Sequence, residues 1–319
     1  IKASVCSTHS DQAERFIIRV RSVPGLASVI VVAADSGPLL GDCVNQVLAS
    51  SALVELILMD NASTDGWPQR TAAAHAGDAR FRLFRNGANL GFGPACNLGA
   101  ARAGGDILVF LNPDCLIEAE TIAGLRRIIE EDTSLAVVGI TLCDVDGHPA
   151  RGNRRREPTL RRAFMTISGL ARLEPRWPAF AGVEMLSARV PDASIEIVEA
   201  VSGACLCLPR EAFERLCGFD QAYFLHCEDL DLCRRARDSG ARVAIAGALR
   251  ARHVQGSSSG AHPIFVARHK HRGMWRYFRK FDPAARNPLL RALVWCGIWS
   301  HFVLSASCLA LRRVGMERR

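Results

Sequence analysis

Hydrophobic residues in the first half of the chain concentrate in short runs separated by amphipathic stretches. The runs are residues 28–34, 54–60, 80–84, 106–114 and 135–140, and each predicts a strand. The run 28–34 is β-branched and uninterrupted, which predicts a strand buried on both faces, and 54–60 predicts a second buried strand. Helices are predicted between them, near residues 39–51, 67–76 and 94–103 and around Leu125–Ile129. This alternation predicts an α/β fold with a mostly parallel central sheet flanked by helices.

The second half of the chain is less regular. Residues 199–209 predict a strand that returns to the core, a short helix follows and stops at Gly218, and a further helix ends at Gly240. Residues 151–195 are rich in Arg and Pro with weak periodicity, and the sequence assigns no role to this excursion.

The C-terminal tail carries the longest apolar stretch. Residues 292–311 contain no formally charged side chain apart from a protonated state of His301, and Arg286 and Arg291 precede them. Twenty residues are about the minimum for a membrane span. Because Ser, Cys, Gly and His dilute the apolar character, three alternatives stay open: a spanning helix, a helix on the membrane surface, and a helix packed in a homodimer.

Charge and cysteine content narrow the class of protein. A net charge of +8 over 319 residues suggests phosphate-bearing partners. Two basic runs, 151–157 and 268–280, lack a recognisable nucleic-acid motif, so we expect solvated or membrane-facing surfaces and no nucleic acid. The twelve cysteines are irregularly spaced, which favours reduced, buried thiols over a zinc site, with Cys205 and Cys207 on one face of a strand.

Several enzyme classes are disfavoured by missing motifs. The first strand is followed by neither GxGxxG nor GxxxxGK[ST], which argues against a dehydrogenase or a P-loop enzyme, and no GxSxG elbow occurs. Residues 1–10 lack the basic start and apolar core of a signal peptide.

Acidic residues stand where ligands are expected. Asp60 and Asp114 each end a predicted strand, and ligands of parallel sheets bind beyond the carboxyl ends of the strands. Further along, Glu228, Asp229 and Asp231 lie within four residues at the start of a helix. Taken alone, these three acids could simply complement the helix dipole.

The order of motifs gives a more specific reading. The chain carries "LMDNASTDG", "NLGFGPACNLGAA", "ILVFLNPDC", "YFLHCEDLDLCRRARDSG" and "RHVQGSSSG" in that order. This series resembles the family 2 glycosyltransferases of GT-A fold, most of all the bacterial rhamnosyltransferase-like enzymes. The resemblance divides the chain into an N-terminal extension, a catalytic domain with nucleotide-binding and acceptor halves, and a helical C-terminal tail. These parts are residues 1–27, 28–280 (halves 28–140 and 141–280) and 281–319.

The resemblance implies a donor site and a metal site. The implied donor-binding residues are Ala33, Asp35, Asp60, Asn61, Ser63, Asp65, Asn89, Gly91, Asn97 and Asn112. Asp114, in the position of the last acid of a DxD motif, and His253 would hold Mg²⁺ or Mn²⁺. Standing alone, Asp60 could be a turn cap, Gly91 an ordinary turn glycine and His253 a surface histidine.

The resemblance also assigns the catalytic acids. Asp229 matches the base that removes the acceptor proton in an inverting transfer, Glu228 would bind the acceptor or orient the loop, and Asp231 would be solvated or paired with Arg. The expected reaction moves a sugar, rhamnose in the first instance, from a dTDP- or UDP-linked donor to a lipid-linked or polysaccharide acceptor. The expected location is the cytoplasmic face of the inner membrane.

One departure from the family pattern keeps an alternative open. Ala33-Ala34-Asp35 stands where the family usually has Thr-Tyr-Asn, so the aromatic that could pack near the base is missing. A non-catalytic relative that binds nucleotide or glycan as a scaffold is therefore the main alternative. A nucleotidyltransferase is a weaker one, because the Glu228-Asp229 helix fits it poorly.

Overall fold

A nine-stranded mixed sheet forms the centre of the molecule. The computed structural model describes residues 22–150, 152–185, 195–254 and 262–317, with the side chains of 311–317 excepted. The strands are β1 (Val23–Ala33), β2 (Val54–Asp60), β3 (Phe81–Arg85), β4 (Gly105–Leu111), β5 (Cys115–Ile117), β6 (Leu135–Cys143), β7 (Arg154–Arg155), β8 (Ile195–Ile197), β9 (Ala200–Val201), β10 (Cys205–Pro209) and β11 (Arg242–His253). The helices are α1 (Leu39–Leu48), α2 (Trp67–Ala74), α3 (Phe92–Arg102), α4 (Thr121–Glu131), α5 (Leu160–Ile167), α6 (Arg210–Arg215), α7 (Glu228–Asp238), α8 (Pro263–Phe281) and α9 (Pro288–Glu317).

The strand order of the large sheet is β3-β2-β1-β4-β10-β6-β11-β5, and β8 pairs with β11 as well. Strands β3, β2, β1 and β4 are parallel, as is the β6–β11 pair, whereas β10 runs antiparallel to both β4 and β6. The antiparallel β10 begins at the edge where β4 ends, since Cys205 pairs with Leu111. The predicted α/β architecture is confirmed.

Two predicted strand limits differ from the structure. The first strand begins at Val23, five residues before the predicted start at 28, so it includes the end of the predicted N-terminal extension; residues 1–21 of that extension lie outside the described part. Strand β4 ends at Leu111 and not at Asp114. The reason is local: Pro113 has no N–H for the ladder, and the Cys115 N–H donates to the Asn112 carbonyl in a turn.

Each face of the sheet buries its own apolar layer. Helices α1 and α4 cover one face, with Val44 and Leu125 among the buried side chains. Helices α3, α6 and α7 cover the other face, together with Tyr277 of α8. Because both faces are covered, the open edges of the sheet are left for ligand binding, as in other α/β folds. The buried thiols include Cys205 and Cys207, which lie in the same layer and are unpaired, as predicted.

The excursion after β6 folds back onto the sheet. Its β7 pairs with β9 in a separate antiparallel ladder, Arg155 opposite Ala200. The expectation that this basic run is a solvated or membrane-facing surface is wrong for three of its residues. Arg154 pairs with Glu196 at 2.9 Å, Arg156 with Glu174 at 2.5 Å, and Arg155 with Asp229; these guanidinium groups are largely buried. These arginines therefore neutralise carboxylates that become buried when the chain folds.

The C-terminal helices α8 and α9 pack on each other through a short connection. Residues Pro288–Ala310 of α9 are long and apolar enough to cross a membrane, with a mean hydropathy of 1.5, and none of this stretch is buried inside the molecule. The predicted uncharged stretch 292–311 lies within this helix.

Candidate active site

The site lies at the sheet edge where β1, β2 and β4 end. Asp60 is the last residue of β2 and lies opposite Ala33 of β1. The Asn112-Pro113-Asp114 turn follows β4, and His253 at the end of β11 pairs with Cys115 just beyond it. The parallel direction of β1, β2 and β4 brings these polar residues to one edge, as the sequence predicted.

Four of the predicted donor residues join the loops after β1 and β2. The Asp60 carboxylate accepts the Ser63 N–H at 2.8 Å. The Asp35 carboxylate accepts the Asp65 N–H at 3.1 Å, and the Asp65 carboxylate in turn accepts the Gly37 N–H at 2.9 Å. Asp60 is buried and acts as a turn cap, whereas Asp35 is exposed. These bonds fix the shape of both loops, and the contact of these residues with a donor stays a prediction.

Asn61, Asn89 and Gly91 shape the loop that leads into α3. The Asn61 amide donates to the Gly91 carbonyl at 3.0 Å, and the Asn89 side-chain oxygen accepts the Gly91 N–H at 3.0 Å. Gly91 has φ of +88°, and a Cβ built there would lie 2.4 Å from the Phe224 carbonyl oxygen. Both the positive φ and the approach of the Phe224 backbone require glycine at position 91, and the contact of Gly91 with a donor stays a prediction.

Asn97 and Asn112 have structural partners. The Asn97 amide donates to the Phe219 carbonyl at 2.8 Å and its oxygen accepts the Phe219 N–H at 2.9 Å, which ties α3 to the turn before α7. The Asn112 N–H donates to the Ala204 carbonyl at 2.8 Å. For Asn97 the structure shows a positioning role, and its contact with a donor stays a prediction.

Asp114 and His253 lie together, as the resemblance implied. Nε2 of His253 is 3.2 Å from Oδ1 of Asp114, and both side chains are largely buried. Two neighbouring ligands of an octahedral ion are about 3 Å apart when each lies near 2.1 Å from the metal. The spacing of these two atoms therefore fits two ligands of one divalent ion. His253 is not the surface residue that its basic neighbours suggested.

Asp229 is held by three donors at the first turn of α7. Its Oδ2 accepts the Gly203 N–H at 2.9 Å and a hydrogen bond from the Arg155 guanidinium, and its Oδ1 accepts the Leu230 N–H at 2.7 Å. Burial opposes the charge of Asp229, but Arg155 and the two backbone donors outweigh it and lower the pKa of this carboxyl group. The carboxylate is therefore ionised at neutral pH and fixed in direction.

Arg155 is the site residue that sequence reasoning missed. It lies 74 residues before Asp229, in an excursion to which the sequence assigned no role. The β7–β9 ladder sets its position, because the same guanidinium donates to the Val201 carbonyl at 2.5 Å. The only signal in the sequence was the Arg run itself, which is more often a solvated surface.

Glu228 differs from its neighbour in environment. It is buried, and its Oε2 has no hydrogen-bond partner within the described residues. Burial, followed by the charge of Asp229, raises the pKa of Glu228 well above the usual range of a carboxyl group. The pKa values of the two adjacent acids are therefore shifted in opposite directions, so that Asp229 is ionised and Glu228 is neutral. Paired carboxyl groups with different roles commonly show this pattern.

Asp231 belongs to the packing of α7. It is fully buried and pairs with Arg235 at 2.5 Å and Lys280 of α8 at 2.6 Å. The expectation of an Arg-paired residue is confirmed, and the partner on α8 is an addition. Its carboxylate is saturated by cations, so it is not a candidate base.

One dipeptide connects the two halves of the site. The Gly203 N–H donates to the Asp229 carboxylate, and the next carbonyl, of Ala204, accepts the Asn112 N–H. Asp114 follows Asn112 by two residues. Gly203 also permits this approach, because a Cβ there would lie 3.3 Å from the Asp229 side chain. Consecutive Cα atoms are 3.8 Å apart, so Asp229 and the Asn112–Asp114 turn border the same few ångströms of backbone.

The mixed sheet and its topology are those of the GT-A class of glycosyltransferase folds. The model of the family described as Glycosyl transferase family 2 matches residues 28–185. The chain belongs to this family, and it is a glycosyltransferase of the rhamnosyltransferase-like kind.

Relatives and solved structures agree with this assignment. The chain is similar to the N-acetylglucosaminyl-diphospho-decaprenol L-rhamnosyltransferase of Mycobacterium tuberculosis, with 30% identity over 251 residues, 72% of this chain and 79% of the relative. It is also similar to the rhamnosyltransferase WbbL of Escherichia coli, with 26% identity over 53% of this chain and 63% of the relative. The fold resembles that of the mannosyltransferase PcManGT of Pyrobaculum calidifontis, solved with GDP-Man and Mn²⁺, with TM-score 0.54 and 19% identity over 96% of this chain and 85% of that one.

Proposed function

We propose that this chain is a metal-dependent, inverting glycosyltransferase. It moves rhamnose from a dTDP- or UDP-linked donor to a lipid-linked saccharide in cell-surface glycan synthesis. One observation carries the proposal: the Gly203-Ala204 dipeptide holds Asp229 on one side and the Asn112–Asp114 turn on the other. The proposed base and the proposed diphosphate-binding turn therefore border the same two residues of backbone.

The ionised Asp229 is suited to accept a proton from the acceptor hydroxyl as that hydroxyl attacks the anomeric carbon. Oδ1 receives one backbone donor, from Leu230, and a carboxylate oxygen has room for a second bond. Arg155 and Gly203 hold Oδ2, so the carboxylate cannot rotate when the acceptor arrives. A general base placed in this way contributes about 10²–10⁴ in rate.

Asp114 and His253 would hold a divalent ion, Mg²⁺ or Mn²⁺, against the donor. When bound, that ion supplies positive charge to the diphosphate that leaves. The Asp35, Asp60 and Asp65 loops at the neighbouring strand ends would enclose the nucleoside. The solved relative with GDP-Man and Mn²⁺ supports a nucleotide-sugar and metal of this kind.

The acceptor side is proposed from the C-terminal helices and the relatives. The name of the Mycobacterium tuberculosis relative specifies a saccharide linked to decaprenol through diphosphate. Such an acceptor lies in a membrane, and the apolar Pro288–Ala310 stretch of α9 suits attachment to the cytoplasmic face of the inner membrane. A homodimer through α9 is the alternative use of that surface.

A donor screen tests the proposal. The full chain is supplied with UDP-, dTDP- and GDP-sugars, Mn²⁺ and a polyprenyl-diphosphate GlcNAc acceptor, and transfer and anomeric configuration are measured. We expect transfer from dTDP-rhamnose with inversion, abolished by EDTA. Binding of donors without turnover of any of them would favour the scaffold alternative, for which the replaced residues Ala33 and Ala34 are the motivation.

A further inference from the structure

Helix α5 directs its polar side toward the protein and its apolar side away from it. On the inner side, the Arg162 guanidinium donates to the Glu199 carboxylate at 2.7 Å. The Thr166 hydroxyl accepts the Val183 N–H at 3.0 Å. Successive residues of a helix are about 100° apart, so Phe164, two residues from both Arg162 and Thr166, points roughly 160° away from each. Phe164 is 61% exposed, which is the inverse of the usual arrangement with the apolar side toward the core.

The exposed apolar surface extends beyond α5. Ile167, three residues after Phe164 and on the same side of α5, is 53% exposed, and no residue of this helix is buried. Helix α5 packs on the short 3₁₀ helix Leu170–Leu173, and Leu173 and Trp177 are 40% and 48% exposed. We call the four exposed residues, Phe164, Ile167, Leu173 and Trp177, the outer face of the excursion. An exposed apolar surface of this kind marks an interaction site.

The exposed charges of this segment are positive. Arg161, Arg172 and Arg176 are exposed, and none of them forms an ion pair within the described residues. Of the two acids in the segment, Glu174 is buried and Glu184 is half-buried. The segment therefore presents positive charge to its surroundings, which complements an anionic surface.

The basic side chains lie beside the apolar ones. The Arg176 guanidinium lies over the Trp177 ring, 5.4 Å from its centroid. Arg161 precedes Phe164 by three residues, and its guanidinium donates to the Ala179 carbonyl, two residues after Trp177. These contacts join the outer side of α5 to the turn that carries Trp177, so the outer face is continuous and has cations at its border.

Two properties select a lipid surface as the partner. Trp and Phe side chains next to Arg are characteristic of helices that lie at the headgroup level of an anionic membrane, with the apolar side toward the acyl chains. In a twofold dimer the same surface would meet itself, so the unpaired arginines of one copy would face those of the other. An anionic bilayer instead attracts every one of these cations.

The excursion is attached to the helix that carries the proposed base. Arg155 of β7 donates to the Asp229 carboxylate, and Glu157, between β7 and α5, pairs with Arg237 of α7 at 3.2 Å. A membrane contact of the outer face therefore also orients α7 relative to the bilayer.

We propose that the outer face of the excursion inserts into the headgroup region of an anionic membrane, with Arg161, Arg172 and Arg176 at the lipid phosphates. This is a second membrane contact, separate from the one proposed for α9. It goes beyond the proposed function and does not depend on the sugar transfer.

Site-specific photo-crosslinking tests this contact locally, so that membrane binding by α9 does not obscure it. p-Benzoylphenylalanine is placed at position 164 of the full chain. The protein is irradiated with vesicles of phosphatidylcholine, alone or mixed with phosphatidylglycerol, and the adducts are identified by mass spectrometry. Position 53 is the matched control, because Leu53 is also 61% exposed but precedes β2, at the edge of the sheet opposite Asp60. We expect lipid adducts at position 164 with the phosphatidylglycerol vesicles, in several-fold greater yield than at position 53.

Charge variants test the role of the arginines. Each basic residue near an anionic surface contributes about a factor of five, so R172Q should lower the lipid yield at position 164 roughly fivefold and R161Q/R172Q/R176Q roughly a hundredfold. Arg127 is exposed on α4, on the face of the sheet opposite to α7, so R127Q removes the same charge and should leave the yield unchanged. Position 167 is the second probe site if the protein labelled at 164 unfolds at lower denaturant than the wild type.

Adducts only to peptides of this chain would show that the chain itself or a second copy covers the outer face, and would overturn the inference. Equal lipid yields at positions 164 and 53, the absence of lipid adducts, or an equal effect of R127Q and R172Q would also overturn it. Turnover without lipid adducts at position 164 would leave the proposed function standing, and lipid adducts without turnover would leave the membrane contact standing.

Discussion

Replacement of Arg155 by Gln is the sharpest perturbation of the proposed base. The guanidinium is the only cationic donor to Asp229 within the described residues, and the Gly203 and Leu230 N–H groups would remain. An opposite charge at hydrogen-bond distance lowers the pKa of a carboxyl group by about 1–3 units. Loss of Arg155 should therefore raise the pKa of Asp229 by about that amount, or about 1.4–4 kcal/mol in favour of the protonated form.

The assay is the pH dependence of kcat/KM. A base must be ionised, so activity falls as the pH drops below its pKa in the free enzyme. Because Arg155 lowers that pKa, R155Q should lose activity at a pH about 1–3 units higher than the wild type does. The groups that face Asp229 are Glu228, which is neutral in this range, Cys227, Cys233 and His226, and all of them remain in the variant. R155K keeps the charge, so its acid limb should stay near that of the wild type while kcat falls through looser orientation of Asp229.

Arg156→Gln is the control for stability. Arg156 pairs with Glu174 at 2.5 Å next to the same ladder, at similar burial, without contact to Asp229. Breaking a largely buried ion pair costs about 3–5 kcal/mol, so both variants should unfold at lower denaturant. Only R155Q should shift the acid limb. Coincident acid limbs of R155Q and the wild type, or equal shifts in R155Q and R156Q, would refute the assignment of Arg155.

Three further predictions follow from other parts of the site. The pKa of Glu228 is raised to about 8, so its contribution to stability is complete below about pH 4.5 and is lost as the pH rises toward 8. The free energy of unfolding, measured with urea, should therefore decline more steeply with pH for the wild type than for E228Q over this window. Parallel curves would contradict the neutral state of Glu228. Gly91→Ala should lower the free energy of unfolding by about 2 kcal/mol or more, because the new Cβ meets the Phe224 carbonyl and φ is positive. G147A lies on an open turn with φ of +82°, so it controls for the effect of φ alone and should lower the free energy of unfolding by less. Asp114→Asn should weaken Mn²⁺ binding in the presence of dTDP about tenfold or more, measured by calorimetry, and an unchanged affinity would exclude Asp114 as a ligand.

The sheet and the acids at its edge were predictable because short-range patterns specify them. Apolar runs locate the strands along the chain. Because neighbouring strands are parallel, the residue that ends each run, such as Asp60, lies at the same edge of the sheet. The pairing of Asp114 with His253 is a contact over a long sequence separation, and only the family resemblance indicated it.

The contacts of the excursion could not be predicted from local pattern. Arg155 reaches Asp229 through a two-residue ladder between β7 and β9, and such short strands have no periodicity to detect. The partners of Arg154 and Arg156 are likewise distant acids, which a charge run does not reveal. The same limit applies to α8, where Arg276 and Lys280 pair with Asp220 and Asp231, which lie far away in the sequence.

The turnover of Asp229→Asn tests the central claim most directly. The substitution keeps the size of the side chain and one of its two accepting oxygens, and it removes the ability to accept the acceptor proton. With dTDP-rhamnose, Mn²⁺ and a polyprenyl-diphosphate GlcNAc acceptor, kcat should fall by about 10²–10⁴ while the Kd of the donor stays within a few-fold of the wild type. A D229N variant with kcat close to that of the wild type would show that the proton leaves by another route and that the Gly203-Ala204 edge does not hold the base.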